Sequence, residues 1–130
     1  MPVTVTIDAE RRLTITTCED VVTDEDFLRA REQLLADPAF DPAYDRIWDF
    51  YSVTEARVSE AIAARLISAS PNSEKQICRA VVVSERTGPM KAILDFINRT
   101  RQANRRIAAF PDRESAEKWV ISTRVELLPK

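Results

Sequence analysis

Histidine is absent from these 130 residues, and glycine occurs once, as Gly88. Without histidine there is no Ser-His or Cys-His nucleophile pair, and most catalytic zinc sites are excluded as well. A single glycine cannot build a P-loop or a GxGxxG turn, in which several glycines let backbone amides close on phosphate. Most nucleotide-dependent chemistry falls with these two counts. Cysteine is also scarce. Cys18 and Cys78 both lie in apolar-patterned segments and read as buried, reduced thiols rather than a disulfide. No apolar run approaches the roughly 20 residues of a membrane helix. The opening MPVTVTIDAE lacks the basic-then-apolar layout of a signal peptide. A net charge of −2 supplies no basic field for nucleic acid or anionic lipid. These absences point to a cytoplasmic, bacterial-type protein with no nucleic-acid partner, no membrane and no cofactor.

What is present fits a soluble globular chain: 45% hydrophobic and 31% charged residues, over a one-domain length. Val3, Val5 and Ile7 alternate with Thr4 and Thr6, and Leu13 and Ile15 alternate with Thr14 and Thr16. Both runs have the period of half-buried strands. The short break Asp8 to Arg12 makes them an antiparallel hairpin, expected to bury its aliphatic face and show its threonines. Thr23 is a good N-cap. Asp24, Glu25 and Asp26 set negative charge against the positive end of a helix carried by Phe27, Ala30, Leu34 and Leu35. An acidic trio also raises the question of a metal, but helix-end electrostatics is the simpler reading.

Pro38 and Pro42 then lead into the stretch YDRIWDFYSVT, Tyr44 to Thr54. It reads as a central strand that enters the core through Ile47 and Trp48, carries Asp49 inward and emerges through Phe50 and Tyr51. A polar loop from Ser52 to Ser59 is expected beyond it, with Ser59 capping a helix that buries Ile62, Leu66 and Ile67. ICRAVVV, from Ile77 to Val83, has the continuous apolar character of a strand covered on both faces. After the loop Glu85 to Gly88, Pro89 suits the first turn of a helix striped by Met90, Ile93, Leu94 and Ile97. Arg105 to Phe110 returns as a strand, and Pro111-Asp112 opens a last helix with Ala116, Trp119 and Val120 inward. Strands separated by helices imply parallel pairing with right-handed crossovers. The expected fold is therefore α/β, with a mixed, mostly parallel sheet. Residues 1–120 form the domain and 121–130 a tail, whose Val125, Leu127 and Leu128 suit an extra strand or a neighbour.

The second half of the chain resembles the SpoIIAA-like group of the STAS (anti-sigma-factor-antagonist) superfamily. The resemblance rests on Gly88-Pro89-Met90-Lys91-Ala92, on Arg106-Ile107-Ala108-Ala109-Phe110, and on the acidic, alanine-bearing helix from Glu114 to Trp119. It implies a small domain of mixed sheet and flanking helices. In regulatory members a phosphorylatable serine follows a central strand in an Asp-Ser-Ser-Gly-like turn. This chain carries Asp49-Phe50-Tyr51-Ser52-Val53-Thr54 there instead, leaving Ser52, Thr54 and Ser59 as the positions that stand in.

Function in such sheets gathers at the loops past the carboxyl ends of central strands. Asp49, Ser52, Thr54, Arg57, Glu85, Arg86, Thr87 and Gly88 are accordingly the candidate binding or regulatory residues, expected to converge there. Arg57 and Arg86 offer charge to an anion such as phosphate or carboxylate; ordinary capping and solvated charge explain the same residues. Asp49 reads as a phosphoacceptor or, more simply, as an acceptor for loop amides. Arg99, Arg101, Arg105 and Arg106 are the one basic run, and Arg99 and Arg101 fit the negative end of a helix. The expected function is a non-catalytic regulatory or protein-interaction module with a protein partner. A carrier of a small apolar or acidic ligand, held under these loops beside Trp48, Phe50, Tyr51, Phe96 and Phe110, is the alternative. A second copy of the chain, met through the threonine face or the tail, is a further candidate partner.

Overall fold

A computed structural model describes residues 2–62, 77–102 and 106–126. The chain runs β1 (Val3–Asp8), β2 (Leu13–Thr23), α1 (Asp24–Ala36), β3 (Asp45–Arg57), β4 (Cys78–Val82), α2 (Lys91–Gln102), β5 (Arg106–Phe110) and α3 (Arg113–Glu126). The strands form one five-stranded sheet in the order β1-β2-β3-β4-β5. β1 and β2 are antiparallel and every other pairing is parallel. Parallel neighbours need crossovers, which the helices provide. A helical turn also opens at Glu60, where the Ser59 hydroxyl accepts the Ile62 N–H at 3.2 Å. The expected contributions of Leu66 and Ile67 lie outside the described residues.

Both faces of the sheet are covered. On one, Phe27 and Ala30 of α1 and Ile93 and Ile97 of α2 pack on Val3, Cys18, Val22, Phe50, Val53, Val81 and Ile107. On the other, Ala116 and Val120 of α3 pack on Leu13, Ile15, Ile47, Cys78, Ala80 and Val82. All five residues of β4 are buried, as its apolar run requires of a two-sided strand. The antiparallel hairpin forms as expected, but its exposed threonine face holds only for β1. Thr4 and Thr6 are exposed, but Thr14 and Thr16 of β2 are buried at 2% and 6%, because β2 is covered by α1 on one side and α3 on the other.

The helix ends follow their capping chemistry. Thr23 and Asp26 form a capping box, with the Asp26 carboxylate accepting the Thr23 N–H at 2.9 Å. Asp24 accepts the Ser59 N–H at 2.8 Å and Glu25 pairs with Arg29 at 2.8 Å, so each of the three acids has a partner within the fold. α2 begins at Lys91, so Pro89 stands in the preceding turn rather than inside the helix. Arg99 and Arg101 occupy its last turn. α3 runs unbroken through the expected boundary at residue 120. It ends at Glu126, with Thr123 buried and the Arg124 guanidinium bonding Asp45 at 2.6 and 2.7 Å.

Candidate functional site

The stretch expected to organise the chain is a strand, but a longer one than its pattern suggested. β3 continues to Arg57, so Ser52 to Arg57 are strand residues and not a loop. Two irregularities explain why alternation fails to announce this. Thr17 pairs with Asp49 but Glu19 with Ser52; Asp20 pairs with Val53 but Val21 with Glu55. At each step β3 holds one residue more than β2, which is a β-bulge, and Asp20 takes a left-handed φ of 57° beside them. The buried positions of β3 consequently fall at Phe50 and Val53, three apart, where a regular strand would space them by two. Phe50 is buried and does not emerge.

β4 stops level with Asp49. Beyond that level β2 and β3 run on as a two-stranded ribbon, the inner side of which faces α1 and α2. Asp49 sits at the step. Its carboxylate accepts the Tyr51 N–H at 3.0 Å, as expected of an aspartate past a buried pair, and lies 3.5 Å from the Arg113 guanidinium at the start of α3. Arg113 had drawn no notice in the sequence: only the short β5–α3 turn brings it beside a residue so distant in the chain. Asp112, which caps α3 by accepting the Ser115 N–H at 2.7 Å, is held below the ordinary carboxylate range by that bond.

The candidate residues divide into two groups. Glu85, Arg86, Thr87 and Gly88 occupy the turn just past β4, near the level of Asp49. There Ser84 and Thr87 bond each other reciprocally: the Ser84 N–H donates to Thr87 Oγ1 at 2.7 Å, and the Thr87 N–H to Ser84 Oγ at 3.1 Å. Thr87 is buried and closes the turn; Glu85 and Arg86 are exposed. A side chain at Gly88 would stand 3.2 Å from the Ser84 carbonyl oxygen, a close approach that suits glycine. Ser52, Thr54 and Arg57 lie along the ribbon instead, with Arg57 at its far end against Thr23 of β2. The two groups do not form one loop cluster. Arg57 is paired with Glu55 at 2.9 Å, which lowers the Glu55 pKa and raises that of Arg57.

Under the ribbon lies an apolar cleft lined by Val22, Phe27, Trp48, Phe50, Val53 and Phe96, among others. Trp48 and Phe96 meet edge-on at 5.3 Å, and Phe50 meets Phe96 at 6.2 Å. The enclosed space is about 40 Å3, which is room for a few waters or a small alkyl group. Tyr51 and Phe110 are not part of this lining: Tyr51 faces solvent, and Phe110 packs on Trp119 at 5.4 Å on the opposite side of the sheet. The two cysteines are free and sit on opposite faces. Burial raises both thiols, Cys78 to about 11, so neither is a ready nucleophile at neutral pH. No group of acids and cysteines among the described residues is arranged to hold a metal ion, and no described helix is long and apolar enough to cross a membrane.

The architecture is thus an α/β domain with a mixed sheet, an antiparallel first strand and helices on both faces. No model of a known protein family matches the chain, and no curated protein does. Among solved structures it is similar to that of an uncharacterised protein of the DUF3478 family from Shewanella loihica PV-4, described as having a SpoIIAA-like fold. The TM-score is 0.58 at 15% identity, and the match covers 91% of this chain and 93% of that one. At that identity the likeness is one of fold. The chain has a SpoIIAA-like fold.

Proposed function

We propose that this protein is a non-catalytic regulatory or interaction module, and that the β2–β3 ribbon is the part it shows to a protein partner. One observation carries the reading: Tyr51 stands 52% exposed on the outer side of the ribbon, beside exposed Ser52 and Thr54. An aromatic ring held out by a strand, on a backbone fixed by pairing, is the type of group that anchors protein interfaces. The polar groups nearby are engaged with one another: Asp49 with an amide and Arg113, Ser84 with Thr87, Glu55 with Arg57. Such a surface is suited to recognition by shape and hydrogen bonding rather than to proton transfer.

The apolar cleft beneath Trp48 favours a second reading, a carrier of a small apolar ligand. Affinity capture followed by binding of the purified partner separates the two. The interaction module predicts a partner whose affinity drops at least tenfold with Tyr51→Ala and is unchanged by Leu94→Ala, an exposed residue on α2. Equal binding by both variants would remove Tyr51 and the ribbon from the interface. A carrier predicts instead a saturable change in Trp48 fluorescence with short-chain apolar compounds, insensitive to Tyr51→Ala.

A further inference from the structure

Among the described residues, the five-stranded sheet has two outer strands, β1 and β5. An unpaired row of N–H and C=O groups is a template for another strand, and sheets usually blunt it with charge, proline, bulges or brevity. β5 is only five residues long and begins with exposed Arg106. Where β3 outruns β4, two bulges bend it and Asp49 takes the Tyr51 amide. β1 keeps such devices only at its ends, with Pro2 before it and Asp8 as its last residue. Val3-Thr4-Val5-Thr6-Ile7 carries no charge and no proline, and its register with β2 is unbroken.

A single hydrogen bond sets the phase of that edge. The Glu19 N–H donates to the Pro2 carbonyl at 2.7 Å, extending the register in which Val3 faces Cys18. Pro2 and Glu19 are thus a hydrogen-bonded pair, and such pairs alternate along an antiparallel ladder. It follows that Thr4, Thr6 and Asp8 turn their backbone groups toward β2, while Val3, Val5 and Ile7 turn theirs to the open edge.

We propose that β1 pairs antiparallel with β1 of a second copy about a twofold axis at Val5, joining the two sheets into one. In this register Val3 lies opposite Ile7 of the partner subunit and Val5 opposite Val5 of the partner subunit. Every opposed pair on this row has its N–H and C=O facing the other strand, so each exchanges both hydrogen bonds. Thr4 lies opposite Thr6 of the partner subunit. Apolar side chains meet apolar ones on the helix-covered face, threonine meets threonine on the other, and no like charges are opposed. A one-residue shift would set edge-facing groups against groups already bonded to β2, and a two-residue shift would shorten the ladder. Backbone phase and side-chain pattern select the same register, which is the self-complementarity a twofold interface requires. Val5 and Ile7, half-buried in the single chain, gain cover from the added strand.

Sedimentation equilibrium of the full chain tests this, with an expected mass of twice 14.8 kDa at micromolar concentration. The double variant Thr4→Lys, Thr6→Lys sets lysine against lysine at both ends of the axis and is expected to sediment at 14.8 kDa. The variant Thr4→Lys, Thr6→Glu sets lysine against glutamate and is expected to stay dimeric. Both positions are exposed, so circular dichroism should show the parent fold in each variant. A monomeric parent would overturn the proposal, as would a folded lysine–lysine variant that remains dimeric. Loss of the dimer in the lysine–glutamate variant would overturn the Val5-centred register.

Discussion

At the scale of single residues, the most consequential contact is one whose partners lie far apart in the chain. Asp45, buried at the start of β3, accepts the Cys78 N–H at 2.8 Å and pairs with Arg124, which also donates to the carbonyl oxygens of Arg11 and Arg12 at 3.0 and 3.3 Å. Arg124→Ala would strand a buried carboxylate. The expected destabilisation is toward the low end of the roughly 3–5 kcal/mol that breaking a buried pair costs, since the arginine keeps 30% of its side chain in water. Arg57→Ala removes a solvent-exposed pair and should leave the urea midpoint where it is. Equal midpoints for the two variants would show that the Asp45 pair contributes nothing special. Asp49 was legible from sequence as an amide acceptor, since that behaviour is local. Asp45 was not, because nothing near it in the chain shows that an arginine on the last helix comes to meet it.

At the scale of elements, what could be read was what depends on near neighbours. The hairpin, the Thr23 cap, the two-sided β4 and the striped α2 all follow from residues within a few positions of each other. Thr23→Ala is accordingly expected to cost about 1 kcal/mol by opening the box with Asp26. Thr23→Ser, which keeps the hydroxyl, should recover most of that in a thermal melt. A melt in which both variants match the parent would mean that tertiary contacts alone hold the first turn of α1. What could not be read was the length of β3. Its bulges are a property of the pairing with β2, and they turn a period of two into spacings of three that look like a loop. The candidate site changed with it: Ser52, Thr54 and Arg57 became ribbon positions, separated from the turn at Ser84 to Gly88.

At the scale of the whole molecule, the order of elements and the mixed sheet were legible, while the closure of the domain was not. The inward face of the last helix was expected to end at Val120, with residues 121–130 as a tail suited to an extra strand or a neighbour. The structure closes otherwise. The last turns of α3 bring Thr123 into the core and carry Arg124 to the turn between β1 and β2, where Arg11 reaches back to Glu117 at 3.0 Å. The first and last described segments are thereby tied across the amino-terminal end of β3. A chain ending at Val120 loses the Arg124 clamp, leaves Asp45 without its cation and frays the helix that covers Leu13, Ile15 and Ile47. Its unfolding midpoint should fall further than that of Arg124→Ala, because packing is lost along with the ion pair, and further than that of Thr23→Ala. Urea titrations of the four chains under one buffer give the order directly. A truncated chain as stable as the full one would place the closing contacts elsewhere and return residues 121–130 to the status of a tail.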